Sequence, residues 1–369
     1  MIEEKGHTIC NEDIQSGRPI VTFVLYAFNE EHFIREAVDS AFAQTYSPLE
    51  IVLSDDGSTD RTYAIMEEMT AAYSGPHTII LNRNEKNIGI GSQLNAAWHK
   101  SRGELFVLAN GDDLSMPYRV DRAVHEWVSH GKTAAAIWSE LAIVTPDGRD
   151  TGRIVRARRE FRDIPKATRD RFGGPAAAGL AIRRDCFDQF GELMGHLIIE
   201  DGPLNMRATL LGKWLFIDEP LVKYRVHAEN ISQAYHVEEF ETWRNRHRTK
   251  TLWQRREGQM AFVQMLVDLY SPATAKMDLP SIRSARAEAA WQLSRDQLLE
   301  SYYSKEWAPP LSDWWKAWAR WTTELVKVTA KAAMPWIERR NERWHFESAN
   351  RAASMQEKER LSSEGKTDA

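Results

Sequence analysis

Leu105-Phe106-Val107-Leu108-Ala109-Asn110-Gly111-Asp112-Asp113-Leu114-Ser115-Met116-Pro117 passes from pure hydrocarbon to paired carboxylates with nothing in between. Leu105 to Ala109 is apolar throughout, which fits a strand of a parallel sheet covered on both faces. The run stops at Asn110-Gly111, and Pro117 suits the first turn of a following helix. Carboxylates at the carboxyl end of such a strand lie where open α/β sheets bind ligands. Asp112 and Asp113 repel each other when ionised unless a cation or a donor intervenes, and a hard divalent cation takes oxygen ligands. A solvated turn of Asn, Gly and Asp has the same composition, so the neighbouring segments must discriminate.

Upstream, strand and helix alternate. Pro19–Tyr26 is β-branched and apolar, a buried strand. Asn29 is placed to cap a helix over Glu30–Ala43, whose apolar face is Phe33, Ile34, Ala37, Val38, Ala41 and Phe42. Leu49–Leu53 reads as the next strand, and Asp60 as the cap of a helix carrying Tyr63, Ile65, Met66 and Met69. His77–Leu81 is a third strand, and a third helix runs from about Ser92 to Ser101, closed by Gly103. Three strand–helix units thus lead into Leu105–Ala109, the pattern of a mostly parallel sheet flanked by helices.

Composition narrows the class. The 369 residues carry a formal net charge of -5, without the basic signature of a nucleic-acid binder. Two cysteines, Cys10 and Cys186, make neither a disulfide framework nor a metal cluster, and a reducing cytoplasm is the simplest compartment. The polar, acidic stretch 1–18 does not read as a secretory signal, and no run reaches the roughly 18 apolar residues of a membrane span.

The strand-end loops carry the chemistry. Asp55-Asp56-Gly57-Ser58 can accept hydrogen bonds from a nucleobase imide and a ribose hydroxyl, or cap the next helix. Asn87-x-Gly89, with Asn95 one helical face later, can approach a nucleotide or serve as a cap. A dinucleotide-type glycine run and a Walker pattern are both missing, so a metal and side chains would have to hold any phosphates.

Ala27-Phe28-Asn29-Glu30, Asp55-Asp56-Gly57-Ser58-Thr59-Asp60, Asn87-x-Gly89, Gly111-Asp112-Asp113 with Pro117, Ile199-Glu200-Asp201, and Tyr224-Arg225-Val226-His227 with Asn230 and Ser232 together resemble glycosyltransferase family two. The resemblance spans about residues 19–235 and implies the GT-A (nucleotide-diphospho-sugar transferase) fold, Rossmann-like and α/β, with inversion at the transferred sugar. One position departs: the family's metal motif often reads Asp-x-Asp, and here its first residue is Asn110. The resemblance implies a nucleotide-sugar site of Ala27, Asn29, Glu30, Asp55, Asp56, Asn87, Gly89, Asn95, Asn110, Gly111 and Asp112. Asp55 and Asp56 would hold the uracil and ribose of a UDP-sugar. Asp112 would ligate Mg²⁺ or Mn²⁺, with His227 as a further ligand or a phosphate donor. Asp201 is the implied general base and Glu200 its alternative, while an N-cap carboxylate is the structural reading of the same position.

The acceptor side is assigned to Asp113, which supports the metal site or faces the acceptor, to Trp138, which stacks on a sugar or packs in the core, and to Gly174 and Arg225. Ala134–Val144 reads as a strand and Thr145-Pro146-Asp147-Gly148 as a hairpin turn. Eight arginines and one lysine in Arg149–Arg171 form a solvated loop or meet an anionic acceptor, such as a lipid-linked diphosphate. Beyond about Val237 the chain turns helical and charged. The resulting expectation is an N-terminal extension (1–18), a GT-A catalytic domain (19–236), an α-helical C-terminal region (237–347) and a disordered tail (348–369). Seven tryptophans in Trp307–Trp344 fit core packing, self-association or peripheral contact with a membrane. The expected partners are a nucleotide-sugar donor and a glycan or lipid-linked acceptor in polysaccharide or glycoconjugate synthesis, with no nucleic acid. Two other classes stay open: a sugar-nucleotide pyrophosphorylase, which should have a glycine-rich basic loop after its first strand, and a degenerate GT-A scaffold, hinted at by Asn110.

Overall fold

The computed structural model describes residues 17–156, 176–227, 230, 261, 263–265, 267–269, 271 and 273–274. Gly174, most of the arginine-rich segment, Ser232 and the tryptophan-rich segment lie outside them. By compactness the chain divides into Met1–Val226 with Met260–Gln292, and His227–Gln259 with Leu293–Ala369. This division differs from the composition shift at 237, because 260–292 counts with the first unit. In the second unit, Asn230 Oδ1 accepts the His227 amide at 2.5 Å.

The first unit runs β1 (Val21–Ala27), α1 (Ile34–Phe42), β2 (Leu49–Asp55), α2 (Thr62–Ala72), β3 (Thr78–Arg83), α3 (Ile90–Lys100), β4 (Leu105–Asn110), β5 (Leu114–Ser115), α4 (Arg119–Ser129), β6 (Ala134–Val144), β7 (Asp150–Val155), β8 (Leu180–Arg183), α5 (Asp185–Asp188), α6 (Asp201–Leu211) and β9 (Lys213–Arg225). Among the described residues these strands form one nine-stranded sheet, ordered β3-β2-β1-β4-β8-β6-β9-β5, with β7 beside β6. The β3-β2-β1-β4 half is parallel. Beyond it β8 is antiparallel to both β4 and β6, while β9 is parallel to β6, so the sheet is mixed and α/β in class.

Two cores explain why the early strands are apolar on both faces. Val21, Phe23, Leu25 and Ala27 of β1 pack with Ile34, Ala37, Val38 and Ala41 of α1 and with α2 and α4. Val24 and Tyr26 point to the other face, against Leu94 and Ala97 of α3 and Leu204 and Ala208 of α6. Alternation along an extended strand produces this division, and helices cover each side.

The expected strands recur, with Ala134–Val144 at its predicted limits. Helix starts differ. Asn29 does not cap α1, which begins at Ile34; it takes a positive φ of 57° and its Oδ1 accepts the Thr59 amide at 2.9 Å. Pro117 precedes α4 without entering it, because Leu114–Ser115 first pairs with β9. Gly103 is a close-packing residue rather than a helix terminator, since a Cβ there would lie 2.3 Å from Thr22 Oγ1.

Candidate active site

β1 runs on to β2 and β3 on one side, and β4 lies on its other side, so strand order reverses between β1 and β4. Open α/β sheets bind ligands outside the carboxyl ends at such a switch point. Register places Ala27 beside Asp55, Asp55 beside Arg83, and Tyr26 beside Asn110, so four strand ends open onto one edge. The crossing is tight: the Gly111 amide donates to the Tyr26 carbonyl at 3.0 Å. A Cβ on Gly111 would lie 2.6 Å from Ala27 Cβ and 3.4 Å from Glu30 Cγ, so glycine lets the acidic turn close on the β1 loop.

The two aspartates after β2 are used differently. Asp56 is committed to the neighbouring loop: Oδ1 accepts Asn84 Nδ2 at 2.7 Å and the Ile88 amide at 3.1 Å, and Oδ2 accepts the Gly89 amide at 2.8 Å. Asp55 is wholly buried; Oδ2 accepts the Ser58 amide at 3.1 Å and lies 3.6 Å from Arg83 Nε. Its Oδ1 is buried without a hydrogen-bond partner, a state that costs about 1–3 kcal/mol unless something fills it. Arg83 also lies over the Tyr63 ring at 4.4 Å. Sequence reading passed over Arg83 and gave Tyr63 only a place on a helix, although a cation ending the strand beside Asp55 was a usable signal.

The acidic turn explains Asn110. Asn110 Nδ2 donates to Asp113 Oδ2 at 2.9 Å, and the Arg225 amide donates to Asp113 Oδ1 at 2.9 Å. Burial and the adjacent Asp112 hold the Asp113 carboxyl well above its usual range. A second carboxylate at position 110 would remove a donor and add a like charge. Asn110→Asp is therefore expected to destabilise the protein by roughly 1–3 kcal/mol in metal-free buffer at neutral pH. Urea unfolding at two pH values checks this: the deficit should shrink on acidification, and equal stability at neutral pH would contradict it.

Several residues assigned to ligands from sequence are occupied elsewhere. Arg225 is 1% exposed. It donates through Nε to the Asp112 carbonyl at 2.9 Å, through Nη1 to the Pro146 carbonyl at 2.5 Å and through Nη2 to Glu36 Oε2 at 2.6 Å, so it braces the turn instead of facing an acceptor. Trp138 is in the core with Nε1 donating to the Ala176 carbonyl at 3.1 Å, and its ring is not a sugar platform. Asn95 exchanges hydrogen bonds with the Leu193 backbone at 2.7 and 2.9 Å. Gly89, at φ 95°, sits against His196, where a Cβ would lie 2.7 Å from the His196 carbonyl carbon. Asn87 is exposed on the same loop. The 193–197 segment is thereby tied to the start of α3, through Gly91 amide to Leu197 carbonyl (2.9 Å) and Ser92 amide to Gly195 carbonyl (3.0 Å).

That segment delivers Glu200 and Asp201 to the start of α6, on the same core face as Tyr26. Glu200 Oε1 accepts the Tyr26 hydroxyl at 2.8 Å, and Asp201 Oδ1 accepts the Ala177 amide at 2.5 Å. Burial raises the Asp201 carboxyl to about 6, with the Ala177 amide opposing. Burial and the Asp201 charge raise Glu200 to about 8. Burial, and after it Glu200, Asp201 and Asp113, raise the Tyr26 hydroxyl, so the two carboxylates at the start of α6 and the acidic turn share its surroundings. Arg119 joins the two sides physically: Nη2 donates to the Leu108 and Ala178 carbonyls, both at 2.7 Å.

Glu30 and Asp112 each offer a carboxylate oxygen, within 4.8 Å of one another, at the switch point. Two hard oxygen donors converging across a glycine-tight crossing fit Mg²⁺ or Mn²⁺. Glu30 enters here as a candidate metal ligand, whereas the sequence had offered it for the nucleotide.

The profile of glycosyl transferase family 2 matches residues 22–190. An uncharacterised glycosyltransferase of Haemophilus influenzae is 28% identical over 234 residues, 61% of this chain and 71% of that one. An uncharacterised glycosyltransferase of Nostoc is 25% identical over 218 residues, 57% of this chain and 66% of that one. The chain thus spans about two thirds of the length of these curated relatives. Among solved structures, S. aureus TarS 1-349 with UDP-GlcNAc superposes with a TM-score of 0.48 at 17% identity, covering 77% of this chain and 87% of that one. The matched profile and the switch-point geometry fall in the same stretch: residues 22–190 of the α/β unit are similar to glycosyl transferase family 2, and the β1/β4 reversal lies within them.

Proposed function

We propose that this chain is an inverting glycosyltransferase that moves a sugar from a nucleoside-diphosphate donor to an acceptor hydroxyl. The observation that carries the reading is the meeting of Glu30 and Asp112 at the β1/β4 switch point. Asp201 takes the acceptor's proton as its oxygen attacks the anomeric carbon, the bond from that carbon to the diphosphate oxygen breaks, and configuration inverts. Asp201 stands as base ahead of Glu200, because it is the less buried of the two carboxylates and loses its proton first.

Asp55 and Arg83 form the nucleobase end, where the unpartnered Asp55 Oδ1 suits an imide N–H such as that of uracil. Asp56 acts behind them by holding the 84–89 loop. Glu30 and Asp112 would hold Mg²⁺ or Mn²⁺. His227 is proposed as a third ligand, since it follows β9 by two residues and Arg225 is bonded to the Asp112 carbonyl. When bound, the metal would neutralise charge developing on the leaving diphosphate. The acceptor is proposed to be a glycan or lipid-linked carrier in polysaccharide or glycoconjugate synthesis, met in the cytoplasm or peripherally at the membrane's inner face. No helix among the described residues is long and apolar enough to cross a membrane.

Calorimetry with UDP and GDP, with and without MnCl₂, tests the reading. Binding of a nucleoside diphosphate should require the metal and fall at least about tenfold in Asp112→Asn, and UDP should be preferred. Metal-independent binding, or none to either nucleotide, would refute it.

A further inference from the structure

Tyr26 is a polar residue on a strand that has no packing need for one. It is the penultimate residue of β1, 4% exposed, on a face where Val24, Leu94, Ala97, Leu108 and Leu204 are its fellow core residues. An apolar side chain would fill that position without needing a hydrogen-bond partner. The hydroxyl instead reaches Glu200, 174 residues along the chain, and Glu200 is itself 6% exposed. The Tyr26 carbonyl meanwhile accepts the Gly111 amide. One residue is therefore bonded through its backbone to the turn bearing Asp112, and through its side chain to the neighbour of the base.

The charged and titratable groups around this contact are few. Glu200 and Asp201 face Tyr26 from the start of α6, Asp113 from the turn after β4, and Arg119 from α4. Two carboxylates on consecutive residues in a dry setting do not both ionise easily, so the pair holds one proton over a range of pH. The Ala177 amide donates to Asp201 and the Tyr26 hydroxyl to Glu200, each favouring the charge on its partner, so the inequality comes from burial: Glu200 is 6% exposed and Asp201 only half-buried.

We propose that Glu200 is the proton-carrying member of the pair and Asp201 the ionised one, with Tyr26 the positioning residue that fixes the Glu200 carboxyl and so puts its proton on Oε2. The Tyr26 O–H donates to Glu200 Oε1, the carboxyl proton sits on Oε2, and Asp201 is left to accept a proton. The role given to Asp201 rests on the transferase reading; the unequal protonation does not, and is measurable without a substrate.

Infrared spectra of the full chain in D₂O, titrated from pH about 5 to 9, provide the test. The wild-type minus Glu200→Gln difference spectrum should contain a protonated-carboxyl C=O band at neutral pH, separate from that of the buried Asp113, and Asp201→Asn should keep this band on the acid side of the titration. In Tyr26→Phe, which keeps the ring, the band should move to higher wavenumber and disappear at higher pH than in the wild type, because its donor is gone. Circular dichroism and thermal melts establish that each variant is folded. A Glu200→Gln difference spectrum without that band, or a band that Tyr26→Phe leaves unmoved, overturns the proposal. A correct band with no transferase activity would refute the transferase reading alone.

Discussion

Asp201→Asn is expected to lower kcat by about 10²- to 10⁴-fold while leaving nucleotide affinity within about twofold, the pattern of a lost general base. The amide is nearly isosteric and its oxygen can still accept the Ala177 N–H, so the 176–179 turn keeps its anchor. It cannot take a proton. In the wild type, burial lifts the Asp201 carboxyl to about 6, so activity should fall on acidification through that pH. The same shift gives a sign for stability. A folded-state proton affinity above the unfolded value favours the native state at low pH, and that contribution is lost as pH rises from about 4 to 6. Replacing Asp201 removes the penalty of ionising a buried carboxyl, so the variant should melt at or above the wild-type temperature near pH 8. Steady-state kinetics beside thermal melts separate the roles: an inactive, undestabilised variant supports a base, whereas full turnover removes Asp201 from the mechanism.

Much of this site was legible in the residues because the strand-end loops are local. The apolar runs at 21–25, 49–53 and 105–109 had to be strands buried on both faces, and the loop after each run had to lie at the sheet's carboxyl edge. That logic placed Asp55, Asp56 and Asp112 beside one another from the sequence alone. It could not tell which of them would be consumed by their own surroundings. Asp56 looks as able to bind a ribose as Asp55 until Asn84, Ile88 and Gly89 are seen to occupy it. Tyr26 reads as one more strand residue, since periodicity gives the face it points to but not the partner waiting there. Arg225 and Trp138 are taken up by backbone carbonyls for the same reason, Trp138 in the core position that its sequence also allowed: side chains suited to sugars and phosphates serve equally well for bracing carbonyls across a mixed sheet. The antiparallel half was hidden because its pairings join segments distant in sequence, such as β4 with β8.

The second large effect concerns the packing behind the base. Arg207, on the same helix as Asp201, makes a two-point ion pair with Asp268 at 2.7 and 2.9 Å, and both side chains are 0% exposed. Gln264 supports the pair, donating to Asp268 Oδ1 at 2.9 Å, and its own Oε1 accepts the Met194 amide at 2.7 Å. The described helical residues 263–265 and 267–269 are thus fastened both to α6 and to the segment that delivers Glu200. Burial raises the Asp268 carboxyl despite the guanidinium beside it, so desolvation outweighs the attraction and the pair owes its importance to the penalty for breaking it. Asp268→Asn should therefore destabilise by about 3–5 kcal/mol, because it leaves a buried cation without its anion. Arg207→Met should be at least as severe, since Arg207 also donates to the Cys186, Gly191 and Glu192 carbonyls. Combining the two should be less destabilising than their sum, since the second change removes the charge that the first one strands. Urea unfolding of the three variants tests this, and an Asp268→Asn protein within about 1 kcal/mol of the wild type would contradict it. The same physics bears on where the catalytic unit ends. A chain cut at 236, where the composition shifts, would keep Arg207 and lose Asp268 and Gln264, and it should be insoluble or unfolded even though every proposed catalytic and metal-binding side chain is still present.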